Sequence, residues 1–131
     1  MRRWLLRFQR PQSTQRAHTP LFSLGELIVT PAARQALRQA AVPVGELLDR
    51  HQQGDWGQVD EIDRRQNELG VRMRLRIRSA YAIPAATAIE TQSSLPASSF
   101  RFVETVWVVT TQGRLRTSVF LPREIFDDQA S

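Results

Sequence analysis

Cysteine and lysine are both absent from this chain, tyrosine occurs once and histidine twice. Without cysteine there is no disulfide, no thiolate nucleophile and no Cys-built zinc site. Without lysine there is no Schiff-base or lysine general-base chemistry. No apolar run approaches the roughly 18 residues that would cross a bilayer. These absences lead us to expect a soluble protein of a reducing, cytoplasmic compartment. Acidic residues are missing as well from everything before Glu26.

What is present is arginine. All 18 basic side chains are Arg, against 13 Asp and Glu, in 131 residues. Arg2, Arg3, Arg7, Arg10 and Arg16 precede the first acid, and from residue 21 onward thirteen Arg meet thirteen acids. The net charge of +5 therefore belongs to the start of the chain, and the rest is electrically balanced. A high pI alone is then no argument for a nucleic-acid-binding fold. The composition predicts a basic flexible leader over 1–20, with Trp4, Leu5, Leu6 and Phe8 interleaved among the Arg. One domain is expected over 21–126, followed by an acidic tail over 127–131.

Within the domain, Leu24–Val29 reads as a short entry strand or turn. Thr30-Pro31 is a helix start, with an N-cap hydroxyl followed by Pro at the first helical position. Pro43 opens a second helix that Gly54 closes, with Leu47 and Leu48 facing the core. A third helix is expected from about Gln58 to Gly70, its early acids Asp60, Glu61 and Asp63 suited to the positive end of the helix dipole. After Gly70, Val71, Met73, Leu75 and Ile77 alternate with Arg72, Arg74, Arg76 and Arg78, the period of a half-buried strand. Residues 84–99, rich in Ala, Ser, Thr and Pro, read as a flexible insertion. Phe102–Thr111 and Arg114–Leu121 are two further strands joined at Gln112-Gly113. The expected class is α+β: two or three N-terminal helices packed on a small antiparallel sheet of three to four strands.

The motifs TPAA at 30–33, RH at 50–51 with GDWG at 54–57, Asp60 or Asp63 with Asn67 in the next helix, RIRSAY at 76–81, VWVVTT at 106–111 and RTSVFLPREI at 116–125 resemble those of a family of small plasmid and integrative-element proteins. Its members are labelled plasmid-related protein, or type I restriction methylase subunit. The resemblance covers Leu24 to Ile125 and implies a mobile-element setting, without assigning an activity. The chain departs from the family in its leader, its insertion and its four alternating Arg; the motif with which a methylase holds its cofactor is absent.

Four constellations carry the candidate chemistry. His51, at the end of the second helix, has a pKa suited to general acid–base work, or else caps helix carbonyls. Gly54, Asp55, Trp56 and Gly57 form a structural turn in which Trp56 anchors the core. Asp55, Asp60, Glu61 and Asp63 have the oxygen ligands of a Mg²⁺ site, yet Arg64 and Arg65 beside them favour ordinary helix-start chemistry, so neither metal nor cofactor is expected. Arg72, Arg74, Arg76 and Arg78, with Arg114 and Arg116 beside them, would line one sheet face at roughly 6.5–7 Å spacing, the repeat of a phosphate backbone. Tyr81, Phe120 and Trp107 are the candidate stacking platforms.

The leading expectation is a non-enzymatic accessory protein that binds nucleic acid or an acidic protein partner through this Arg face. The alternative is a small metal-independent RNase resembling the RelE or barnase type. In that case His51, Arg76, Ser79, Thr110 and Thr117 would be the catalytic candidates.

Overall fold

In a computed structural model, residues 19–85 and 103–125 are described. The leader up to residue 18, the insertion from residue 86 and the acidic tail lie outside the described residues. The described chain runs β1 (Glu26–Val29), α1 (Pro31–Ala40), α2 (Val44–Gln52), α3 (Glu61–Met73), β2 (Ile77–Pro84), β3 (Val103–Thr110), a 3₁₀ turn (Gln112–Arg114) and β4 (Arg116–Phe120). It is an α+β fold.

The helix starts follow local chemistry. Thr30 Oγ1 accepts the Ala33 N–H at 3.1 Å, Pro31 is the first helical residue, and the same hydroxyl donates to Glu124 at 2.8 Å. That second bond ties the end of the domain to the start of α1. Asp60 caps α3 by accepting the Asp63 N–H at 2.8 Å.

The end of α3 departs from expectation. The helix passes through Gly70 and ends three residues later at Met73, with Arg74 as its C-cap in the left-handed region at φ of 59°. A Cβ on Gly70 would lie 2.9 Å from the Arg76 carbonyl oxygen and 3.1 Å from the Ile77 side chain. Gly70 is thus where the returning chain crosses close over the helix, a packing role and not a helix stop. The strand begins only at Ile77, and the alternation over 71–76 belongs to a helix end and a turn.

The sheet order is β1-β4-β3-β2. β2–β3 and β3–β4 are antiparallel, but β1 pairs parallel to β4, so the sheet is mixed and not wholly antiparallel as expected. Parallel pairing needs a crossover, which the helices and the β2–β3 hairpin between β1 and β4 provide. Tyr81, Ile83, Val106, Val108 and Val119 on one face bury against Ala33 and Leu37 of α1 and Leu47 and Leu48 of α2. A second, smaller cluster joins Phe22, Trp56 and Ile77.

The outer edge of β2 is covered by non-strand groups. The Asn67 side-chain amide on α3 donates to the Arg78 carbonyl at 2.7 Å and accepts the Arg78 N–H at 3.0 Å, as a neighbouring strand would. Two residues along, Ala80 donates to the Trp56 carbonyl at 3.0 Å and accepts the Gln58 N–H at 2.6 Å. Gly57 sits between them at φ of 74°, and a Cβ there would fall 2.1 Å from the Ala80 oxygen. The GDWG segment therefore closes a sheet edge that would otherwise be open to intermolecular pairing.

Candidate functional site: a sealed histidine and an arginine–tryptophan face

Four of the five side chains weighed for catalysis meet in one place. His51, near the end of α2, reaches across the inner face of the sheet. Its Nδ1 lies 2.6 Å from Ser79 Oγ on β2 and its Nε2 lies 2.9 Å from Thr110 Oγ1 on β3. Thr110 Oγ1 lies 2.7 Å from Thr117 Oγ1 on β4, and Thr117 donates to the Leu24 carbonyl at 2.7 Å. All four side chains are fully buried.

The carbonyl at one end orders the protons in this chain. Leu24 O can only accept, so the Thr117 proton is committed to it. Thr110 must then donate to Thr117, and His51 Nε2–H must donate to Thr110. Nδ1 is left as an acceptor for the Ser79 hydroxyl. Every polar atom is satisfied by a neutral imidazole in its Nε2–H tautomer. Phe22 packs edge-on to the ring at 5.0 Å between centroids and Trp56 at 6.1 Å, sealing it in an aromatic wall. Burial, with a smaller push from the Arg114 charge, lowers the His51 pKa to about 3. A general base needs a path to its substrate, and this imidazole is 0 % exposed. It does not cap helix carbonyls either, the other role considered for it.

The Arg residues read as one ladder are distributed over several elements. Arg72 is on α3, Arg74 is its C-cap, Arg76 lies in the turn before β2, and Arg78 alone is on the strand. Arg114 is not on a binding face. It is 6 % exposed, has φ of 65°, and lies before β4 begins. Its guanidinium donates to the Gly70 carbonyl at 2.7 Å and the Leu75 carbonyl at 2.8 Å. It therefore caps the negative end of α3 and fastens the helix to the β3–β4 turn. Burial and then the Arg74 charge lower its pKa from the ordinary arginine value. We expect Arg114→Leu to destabilise the fold by about 2–3 kcal/mol, because one buried and one half-buried carbonyl lose a charged donor. Arg72→Gln is expected to stay within about 0.5 kcal/mol. Urea denaturation midpoints check both, and equal effects would refute the capping role.

Arg78 and Arg116 do lie on the sheet face turned away from α1 and α2. Arg116 is exposed and lies 3.6 Å from Glu26. Arg78 is half-buried, pairs with Asp63 of α3 at 2.5 Å, and sits 4.4 Å above the Trp107 ring. Trp107 in turn meets Phe120 of β4 edge-on at 5.8 Å. Tyr81, the third candidate platform, points the other way and is buried, its hydroxyl donating to the Asp55 carbonyl at 2.6 Å. Beside Arg78, a groove of about 380 Å³ is lined by Ile62, Gln66, Leu75, Arg76 and Gln112 among others. Arg76 is exposed there, with no carboxylate within ion-pair distance among the described residues.

The acids weighed as metal ligands are separately engaged. Asp55 pairs with Arg50 at 2.7 Å, Glu61 with Arg64 and Arg65, Asp63 with Arg78, and Asp60 caps α3. Among the described residues no group of three His or carboxylate side chains is placed to hold a metal ion. The residues that sequence reasoning missed are Gln66 and Gln112, which line the groove; Asn67, which completes the sheet edge, stood out only as part of the family resemblance. The fold and this surface define a small α+β protein with a sealed polar core and an Arg–Trp face. Comparisons with protein-family models, curated proteins and solved structures give no match.

Proposed function

We propose that this protein is a non-enzymatic accessory factor of a mobile genetic element that binds single-stranded nucleic acid on the outer face of its sheet. The observation that carries this reading is the Arg78 guanidinium stacked 4.4 Å above Trp107, with Phe120 edge-on beside it. A planar cation stacked among aromatic rings offers a sequence-tolerant stacking surface for bases, Arg78 itself being paired with Asp63. Arg76 in the adjoining groove, with no carboxylate at ion-pair distance among the described residues, supplies the phosphate contact, and Arg116, beside Glu26, lies across the sheet. The resemblance to plasmid and integrative-element proteins supplies the setting. The RNase alternative draws no support from the convergence of His51, Ser79, Thr110 and Thr117, because that cluster is sealed and neither Arg76 nor Arg78 faces it.

Fluorescence titration of the full chain with an oligonucleotide, single-stranded or duplex, at two salt concentrations tests the proposal. Wild-type protein is expected to favour the single strand, with quenching of Trp107. Trp107→Leu should cost about 1–3 kcal/mol of binding, the usual worth of one stacked base. Arg76→Gln with Arg78→Gln should lower the salt slope by about one per lost phosphate contact. Binding that these substitutions leave unchanged would assign it to the basic leader. No binding at low salt would redirect the face to a protein partner.

A further inference from the structure

Helix α3 presents a side that no described element covers. Ile62, Leu69 and Met73 are 73 %, 38 % and 62 % exposed. At 100° per residue the three fall within about 40° of one another, so they form one apolar stripe along the helix. They stand apart from Asn67 and Gly70, which face β2. Apolar side chains scattered over a surface need no explanation, but three aligned on a 13-residue helix do.

The charges flanking the stripe indicate what would cover it. Glu61, Arg65, Glu68 and Arg72 follow at steps of four, three and four residues, and so form one row beside the stripe. Their signs run minus, plus, minus, plus. Read backwards, the row is plus, minus, plus, minus, so reversal inverts every sign. A two-fold axis between antiparallel helices performs this reversal, because residue i then meets residue j and j meets i. Glu61 falls opposite Arg72 of the second copy, and Arg65 opposite Glu68. Parallel helices would instead turn the row toward the opposite flank of the partner, which carries Asp63 and Gly70, and would leave it without this complement. Within one copy, Arg64 and Arg65 already bind Glu61, and Arg64 also binds Glu68. Arg72 has no carboxylate within ion-pair distance among the described residues. It is the row's open valence.

We infer that the occupant of this stripe is a second copy of the chain, docked by antiparallel pairing of α3 with α3 about a two-fold axis. The inference does not rest on the nucleic-acid reading, although Ile62 at one end of the stripe also lines the groove beside Arg78. A single helix pair of this length makes a small interface, below the ~1,200 Å² of stable complexes, so the dimer is weak and concentration-dependent.

Sedimentation of the full chain, from about 1 µM to about 1 mM so as to bracket a weak interface, tests this. The average mass of wild-type protein should climb from 15.0 kDa toward twice that value. Arg72→Glu alone, and Glu61→Arg alone, should each raise the dimer dissociation constant about tenfold or more, since each sets like charges opposite across the axis. An equimolar mixture of the two variants should recover association, because in the mixed pair every contact is again between opposite signs. That recovery also shows that both variants are folded. A wild-type chain monomeric throughout, a single variant that associates as well as wild type, or a mixture that stays monomeric would each overturn the proposal.

Discussion

Trp56→Ala is expected to lower the unfolding free energy by about 3–5 kcal/mol, the range for deleting a buried large aromatic. The indole is 6 % exposed and stacks on Phe22 at 6.4 Å between centroids. It also forms part of the wall that keeps water from His51, and its backbone carbonyl takes the Ala80 N–H on the open side of β2. The cavity would therefore open where three elements meet: the end of α2, the GDWG turn and the sheet edge. Gly57, with no room for a Cβ, holds the turn so close that collapse around the cavity is limited. Trp56→Phe should recover more than half of the loss by keeping the ring stack. Urea denaturation measured by far-UV circular dichroism gives the comparison. A Trp56→Ala protein within about 1 kcal/mol of wild type would show that the turn is dispensable for stability.

How much of this was legible in the sequence follows from which interactions are local. The Thr30-Pro31 start, the αL glycine at 54 and the VWVVTT strand were readable, because each depends on neighbours in the chain. The stretch after Gly70 misled for a physical reason. Glycine ends helices when its left-handed freedom is used, but it also stands inside helices where another backbone crosses closely. Nothing local separates the two, and four alternating apolar residues then made a persuasive strand of what is a helix end. Arg114 misled in a similar way. Taking Arg114 as the first residue of a strand set it on one face with Arg116, whereas its positive φ turns it beneath α3.

The His51 cluster shows the limit more sharply. Each member was singled out by type, yet the contacts join residues 28 and 59 apart, which no spacing rule reaches. The parallel register of β1 on β4 is non-local in the same sense. Even with the cluster located, its meaning depends on burial. In an open cleft the same four residues would be a plausible acid–base site.

That burial makes His51 the acid-sensitive element of the fold. In the unfolded chain its imidazole takes a proton near pH 6.5, and in the native state only near pH 3. Between these values the unfolded state binds more protons, so stability rises with pH across the window and is lost as pH falls. The stabilisation is fully present above about pH 6.5 and fades toward about pH 3, a loss on the order of 5 kcal/mol. The proton chain supplies the structural cause. Protonated Nδ1 would face Ser79 Oγ, whose hydrogen already points at it, so Ser79 would have to turn inside a packed core.

His51→Gln isolates this contribution. Its amide nitrogen can donate to Thr110 and its oxygen can accept from Ser79, but it does not titrate. The substitution is expected to destabilise the protein at pH 7 through imperfect packing, while flattening the stability profile between pH 3 and 6.5. Carboxylates held low by ion pairs, such as Asp55 beside Arg50, titrate in both proteins and cancel in the difference. Denaturant midpoints measured at several pH values for the two proteins should therefore converge as pH falls, and at the acid end the order of stability should reverse. Parallel profiles would mean that the imidazole titrates alike in both states, and that the sealed, neutral His51 derived from the hydrogen bonds is wrong.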